Sequence, residues 1–272
     1  MKDIIGNMLR ITPWFRGKWR LIRVWERRLP ASERRLACLP DGSTVEVQMS
    51  IPYERMVWLQ AEEWNELQYL RYRLRRNDAF VDVGANLGLW TLVAASAVGT
   101  VGRVFSFEPN PTTFRRLAAN VERNGHSQVV SIFQQAVSRT NGSVSFKCAA
   151  EHNLSAISNE PGADNTISVQ TVSLDSVLPE SGVSGMKLDT EGHELAALEG
   201  AARTIEKSWP WLIVEFNTTL LVSPVLGDWP VYHFLASLGY KPFTYSGPHE
   251  AKAITTQFSI SGYCNVLFQR NA

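Results

Sequence analysis

Apolar and polar positions along the chain follow two rhythms, and the change between them falls near residue 78. Before it, residues 1 to 30 mix Trp14, Phe15, Trp19, Leu21, Ile22, Val24 and Trp25 with Arg10, Arg16, Lys18, Arg20, Arg23, Arg27 and Arg28, the make-up of a basic amphipathic helix. Such a helix either touches an anionic membrane or a partner, or packs its aromatics on its own domain, which is the commoner outcome. Arg34 to Met49 predicts a hairpin turning at Pro40 to Ser43, since Val45 and Val47 alternate with Glu46 and Gln48. Val57, Ala61, Trp64, Leu67, Leu70 and Leu74 recur at helical spacing, so Tyr53 to Arg76 predicts one helix, its acids early and arginines late. Five of the nine tryptophans precede residue 77 and need a surface to pack on. Residues 1–77 therefore read as a cap of helices and a hairpin over a larger domain spanning 78–272.

From residue 79 strands alternate with helices. Phe80 to Val83 reads as a buried strand that turns tightly into a helix starting near Gly88. Arg103 to Glu108 is the next strand, followed by a helix with Asn110 as N-cap, Pro111 at its first position and Gly125 past its end. Val129 to Val137 predicts a third strand. Between Ser138 and Ser184 the pattern blurs into two strands, Ser143 to Cys148 and Ile167 to Leu174, around a polar loop from Glu151 to Asn165. Met186 to Asp189 is a strand, and Leu195, Leu198, Ala202 and Ile205 mark one helix after it. Trp211 to Asn217, a helix from Trp229 to Leu238, and strands Pro242 to Tyr245 and Tyr263 to Gln269 complete the chain. About seven strands in βα units predict an α/β fold, a doubly wound, mostly parallel sheet with helices on both faces. The closing strand has no helix after it, which suits an antiparallel insertion.

Composition narrows the class. Hydrophobic residues make up 44% and charged residues 19%, ample for a core, and a net charge of +1 gives no global signal for nucleic acid. Cys38, Cys148 and Cys264 lie far apart without a C-x-x-C, so a reducing compartment is expected, with neither a disulfide framework nor a zinc site. No run of about 18 apolar residues and no signal-peptide pattern is present, which predicts a soluble, cytoplasmic protein without stable membrane insertion. A homo-oligomer is compatible with this composition.

The turn after the first strand carries the candidate chemistry. It reads Gly84-Ala-Asn86-Leu-Gly88, where a dinucleotide site has G-x-G-x-x-G. Asp82, on the strand, points towards that turn. Two unit charges about 5 Å apart at an effective dielectric near 20 interact by roughly 3 kcal/mol. A carboxylate there opposes a pyrophosphate and favours S-adenosylmethionine (SAM), which is cationic and carries no phosphate. The plainer reading is an ordinary α/β unit whose Asp82 satisfies turn amides. Glu108 ends the second strand 26 residues after Asp82, where a carboxylate accepts hydrogen bonds from both ribose hydroxyls of an adenosine cofactor.

The stretches VDVGANLG, FSFEPNP, VSLDSV, MKLDTEGHELAALEGA and WLIVEFN together resemble the FkbM family of SAM-dependent methyltransferases, over roughly residues 79 to 217. The resemblance implies the class I methyltransferase fold, a Rossmann-like seven-stranded sheet with its last strand antiparallel. It also implies methyl transfer from SAM to a hydroxyl on a sugar or secondary metabolite. By position, Asp82, Gly84, Asn86 and Gly88 are expected along the methionine part of SAM, Glu108 at the ribose, and Asn110, Gln135 and Ala136 near the adenine. The loop motif His152-Asn153-Leu-Ser155 is expected to close over the site, with Asn153 and Ser155 towards the acceptor.

A hydroxyl acceptor needs a proton acceptor, and the stretch Asp189-Thr-Glu191-Gly-His193-Glu194 offers three. His193, in the first helical turn, is kept neutral by the helix dipole and is the first candidate base, against a plain capping role. Asp189 is expected to face the cofactor, or else to cap the helix. Glu191 serves as a base or as an ion-pair partner. Glu215 on the adjacent strand adds an acid on the acceptor side, and Lys187, on a buried strand, needs one of these acids as counter-ion. Asp189, Glu191, His193 and Glu215 together also resemble oxygen and nitrogen ligands for a divalent metal, Asp189 and Glu215 first among them, although no spacing demands one. The rival functions are a nucleic-acid or protein methyltransferase, against which stand the near-neutral charge and Asp189-Thr-Glu-Gly in place of an N-P-P-Y-like tetrad, and a non-catalytic SAM-binding protein. The small-molecule acceptor pocket is expected between the cap, the loop 150–165 and the segment 218–230.

Overall fold

The computed structural model describes residues 3–12, 15–30, 32–149, 155–157, 165–247 and 249–270. The basic N-terminus forms two helices, α1 (Ile4–Ile11) and α2 (Lys18–Glu26). Leu9, Ile22 and Trp25 are buried, and Trp25 stacks on Trp58 with ring centroids 5.7 Å apart. The hairpin forms as predicted, β1 (Arg34–Cys38) pairing antiparallel with β2 (Thr44–Gln48). The single helix expected over Tyr53 to Arg76 is instead two, α3 (Pro52–Trp58) and α4 (Trp64–Arg73). Gln60 and Glu63 take left-handed backbone angles (φ 57° and 52°), which an α-helix does not accommodate, and the chain changes direction between them.

The sheet begins with β3 (Ala79–Val83), α5 (Leu89–Val98), β4 (Arg103–Phe107), α6 (Pro111–Arg123) and β5 (Val130–Phe133). The third strand stops at Phe133, shorter than predicted. After Gln134 and Gln135 the chain leaves the sheet as β6 (Ala136–Val137) and pairs elsewhere. The blurred stretch forms a separate four-stranded sheet in the order β6-β9-β7-β8, from β7 (Gly142–Lys147), β8 (Ala156–Ile157) and β9 (Thr166–Val172). After the short α7 (Leu174–Val177) the main sheet resumes with β10 (Val183–Leu188). The one helix expected next is again two, α8 (Glu194–Glu199) and α9 (Ala202–Ser208). The cause is Asp175, whose carboxylate accepts the backbone N–H groups of Arg203 (3.0 Å) and Thr204 (2.8 Å) and caps α9 from outside. Then follow β11 (Trp211–Asn217), α10 (Pro230–Ser237), β12 (Lys241–Gly247), β13 (Glu250–Ala253) and β14 (Tyr263–Gln269).

The main sheet runs β13-β12-β14-β11-β10-β3-β4-β5, with β14 antiparallel to both its neighbours. Without the edge hairpin strand β13, this is the seven-stranded class I methyltransferase order that the resemblance implied. Two hydrophobic clusters sandwich the sheet. One joins Phe80, Val104 and Ile213 to α5, α6 and the N-terminal elements; the other joins Val81, Met186 and Val214 to α8, α9 and α10. Side chains alternate between faces along a strand, so Asp82 shares the α5 face with Phe80. Register then sets Ser106 and Lys187 beside it, and Glu215 beside Asn265 further along.

The N-terminal elements are fastened to α6 by polar contacts invisible to periodicity. Asn124 bonds both the N–H and the C=O of Thr44, Asn120 accepts from the N–H of Glu46, and Arg116 pairs with the buried Glu54 at 2.6 Å. Among the described residues no helix is long and apolar enough to cross a membrane.

Candidate active site

The site forms where the parallel strands end. Gly84 and Ala85 both donate to the carbonyl of Phe107 (3.0 and 2.9 Å), which folds the turn against the neighbouring strand. Gly84 sits at φ 78°, and a Cβ there would overlap the carbonyl oxygen of Asp189, so only glycine lets these two strand ends meet. Asn86, at φ 51°, turns its N–H onto Glu108 Oε2 (2.9 Å), and Asn110 N–H reaches Oε1 (2.8 Å). The Glu108 carboxylate is thus held rigidly, with a lone pair left on each oxygen for hydroxyl donors. Burial pushes its carboxyl up to about 7 against those two N–H groups.

From this turn a cavity extends in two directions. Towards β4 and β6 its wall is largely apolar, made by Phe107, Pro109, Ala136, Val137, Phe146 and Ile157, with Gln135 and Ser155 as polar members. In the other direction lie Asp189, Glu191, Glu215 and Asn217 from the sheet, then Tyr53, Glu62 and Glu63 from the α3–α4 junction and Tyr263 from β14. Six carboxylates line the cavity, and among the described lining residues there is no lysine, arginine or histidine.

The cation that answers this charge lies beneath the floor. Lys187 Nζ contacts Asp189 Oδ2 at 2.7 Å and Glu63 at 3.9 Å, and sits 5.3 Å from the ring centre of Trp90, whose Nε1–H bonds Glu63 (2.9 Å). Burial alone lowers an ammonium pKa; here Asp189, Glu63 and Asp82 outweigh it and raise it. Asp82 accepts from Thr91 Oγ1 (2.6 Å) while its Oδ1 has no hydrogen-bond partner, and burial lifts its carboxyl to about 6. Glu191, at φ 53°, has its carboxyl pushed to about 7 by burial and by the charges of Asp189 and Glu194. Glu215 is 8% exposed, its Oε2 meets no partner, and burial with Asp189 and Glu191 raises its carboxyl strongly. Carboxylate oxygens of Asp189, Glu191 and Glu215 lie within 4.8 Å of one another, close enough for one cation to touch all three.

Of the residues named from sequence, Gly84, Asn86, Glu108, Gln135, Ala136, Ser155, Asp189, Glu191 and Glu215 line this one cavity. Four others stand behind it. Asp82 is wholly buried under Thr91 of α5 and level with Lys187, below the strand ends at which the cavity begins. Gly88 begins α5 and is packed by Leu117. Asn110 uses its side chain to cap α6 through the N–H groups of Thr112 and Thr113. His193 precedes α8 with its Nε2 3.0 Å from Ser138 Oγ, outside the cavity lining, and burial together with Arg139 lowers its pKa. Asn153 lies outside the described residues. Sequence reasoning missed Glu62, Glu63, Tyr53 and Tyr263. For Glu62 and Glu63 the available signal was a pair of adjacent acids in a predicted helix whose apolar stripe they do not share; the tyrosines carried none.

Among solved structures, the chain is similar to a SAM-dependent O-methyltransferase from Thermotoga maritima (13% identical, 90% of this chain and 95% of that one, TM-score 0.45). Another is a precorrin-6y C5,15-methyltransferase from Geobacter metallireducens (15% identical, 77% and 89%, TM-score 0.44). Hexuronic acid methyltransferase AglP from Haloferax volcanii is 29% identical over 160 residues, 57% of this chain. The aligned part spans 62% of that relative's length. The profile of the methyltransferase FkbM domain matches residues 82–242, more than half of the chain. That match takes in the Asp82 turn, Glu108, the Asp189 to Glu194 loop and Glu215 together, and the chain belongs to the FkbM methyltransferase family.

Proposed function

We propose that this protein is a SAM-dependent O-methyltransferase acting on an uncharged hydroxyl of a sugar or secondary metabolite. The observation that carries the reading is the pairing of an anchored Glu108 beside an apolar slot with an acidic wall free of basic side chains. Such a cleft suits a cationic adenosine cofactor and opposes a phosphate-bearing one. Adenine takes the slot at Phe107, Ala136 and Ile157, with Gln135 at its edge; Glu108 takes the ribose hydroxyls, and the Gly84–Asn86 turn and Asp189 border the methionine part. Asp82 acts from below, fixing α5 through Thr91 and adding negative charge under the sulfonium.

Methyl transfer is an in-line displacement. The acceptor oxygen attacks the methyl carbon, the carbon–sulfur bond breaks with its electron pair on sulfur, and neutral S-adenosylhomocysteine is left. The acceptor proton goes to Glu191, which lines the cavity and titrates near neutrality, where a general base works best. Residues 1–77 act as a cap that completes the acceptor side with Tyr53, Glu62 and Glu63. AglP is named for a hexuronic acid, but the acidic wall here disfavours an anionic acceptor: a second carboxylate about 5 Å away costs roughly 3 kcal/mol. We expect neutral glycosides to be methylated in preference to uronates. The free cysteines agree with a reducing, cytoplasmic setting.

Titration calorimetry with SAM and S-adenosylhomocysteine tests the cofactor, and absence of binding at millimolar ligand overturns the proposal. For the base, Glu191→Gln lowers kcat by about 100-fold or more with SAM affinity nearly kept, and His193→Ala changes kcat less than threefold. The reverse pattern returns the proton to His193. The spacing of Asp189, Glu191 and Glu215 favours a second reading, in which a divalent cation activates the hydroxyl. Full turnover after dialysis against EDTA eliminates it; loss restored by Mg²⁺ establishes it.

A further inference from the structure

Eight of the fifteen large apolar side chains exposed among the described residues fall between residues 4 and 24. On α1, Ile4, Met8 and Ile11 share one flank at helical spacing and are 68, 57 and 76% exposed, while Gly6 and Leu9 are buried on the other and Asp3 at the N-cap bonds Trp25 and Arg35. On α2, Ile22 and Trp25 face inward, and Leu21 and Val24, about half exposed, face outward beside Arg20 and Arg23. The sequence favoured packing of this segment on its own domain. The structure grants that to one flank of each helix and leaves the other in water, where apolar side chains at this density mark an interaction surface.

Charge identifies the partner. Residues 1 to 30 carry eight basic and two acidic side chains, net +6, on a chain whose total is +1. Arg16, Arg20, Arg23, Arg27 and Arg28 are all exposed. Outward apolar positions interleaved with arginines are the arrangement that inserts into the headgroup region of an anionic bilayer, the arginine stems lying along the surface. Helices of eight and nine residues are too short to span a bilayer. The surface also adjoins the site. A second cleft, lined by Arg10, Thr12 and Trp19, runs to Tyr53, Glu62, Glu63 and Tyr263, which border the candidate active site as well.

We propose that α1 and α2 dock this protein peripherally on an anionic lipid surface, next to the mouth of its active site. Docking is independent of the methyltransferase reading and is tested without turnover. The full chain is floated with vesicles of one part phosphatidylglycerol to three parts phosphatidylcholine, and with phosphatidylcholine alone. It rises with the first and stays down with the second, and half-molar salt weakens the binding, because anionic lipid contributes through screened charge. Arg20→Glu with Arg23→Glu, and separately Ile4→Ser with Met8→Ser and Ile11→Ser, each lower partitioning by at least about tenfold. These side chains are exposed and outside the cavity, so both variants keep the wild-type thermal midpoint and SAM affinity. Equal flotation of wild type and both variants, or none with anionic vesicles, overturns the proposal. So does a dimer in light scattering that the same substitutions dissociate while flotation is absent, which assigns the surface to a second copy of the chain.

Discussion

At the scale of single residues, the site depends on a few backbone positions that no other residue type fills. Gly84 joins two requirements, a left-handed φ and the contact of its Cα with the Asp189 carbonyl. Gly84→Ala is therefore expected to cost at least about 2 kcal/mol in urea unfolding and to abolish SAM binding. An alanine variant with wild-type stability refutes the close approach. Asn86 and Glu191 tolerate the same backbone region with side chains present, and each turns a functional group into the cavity as a result. Lys187 shows how far one residue can be read in advance. Its strand position called for an acidic counter-ion, and Asp189 is one. The others, Glu63 and Asp82, come from a distant loop and a neighbouring strand, which only register and packing bring within reach.

At the scale of elements, periodicity located the segments and misjudged where they break. Both long helices read from apolar spacing are interrupted, and in neither case does the stripe of hydrophobic residues record it. The break before α9 comes from Asp175, some 28 residues away in sequence. Asp175→Ala is expected to lower stability by about 1 to 2 kcal/mol, the range for a lost helix cap, while SAM affinity stays unchanged because neither Asp175 nor the N–H groups it caps belong to residues lining the cavity. A calorimetric SAM affinity that falls with stability argues against that separation. The break before α4 matters more for chemistry, because an unbroken helix over Tyr53 to Arg76 would carry Glu62 and Glu63 past the site. Glu63→Gln keeps the bond to Trp90 Nε1 and removes a charge beside Lys187. We expect a stability change below about 1 kcal/mol and weaker SAM binding, from the lost negative potential.

For the whole molecule, the excess of carboxylates at the strand ends makes stability depend on pH in an unusual direction. Burial holds Asp82 at about 6, and Glu62, Glu108 and Glu191 at about 7, above the ordinary carboxylate range near 4. A group that binds its proton more tightly when folded contributes stability that is complete below the unfolded pKa and is lost as pH rises through the folded one. The free protein is accordingly expected to lose thermal stability between pH 5 and pH 8. SAM, bringing positive charge, is expected to stabilise it more at pH 8 than at pH 5. Calorimetric scans with and without SAM across that range decide the matter; a midpoint of the free protein that climbs with pH refutes it. The proposed docking of α1 and α2 belongs to the same scale, since the basic surface lies next to this acidic mouth.

The sequence by itself determined the alternation of strands and helices from residue 79, the hairpin, the glycine turn and the acids that end the strands. Those are local matters, written in periodicity, capping residues and the punctuation of glycine and proline. It also supported the family, because several short motifs in fixed order are jointly specific. Tertiary structure decided which of those residues face the cavity. The covering helix α5 buried Asp82, helix capping withdrew Asn110, and His193 bonded Ser138 outside the lining, whereas Glu62 and Glu63 were brought in from the α3–α4 junction. The physical reason is common to all of them. A side chain's type is set at its own position, but its direction and its charge state are set by neighbours that the fold brings together from elsewhere in the chain.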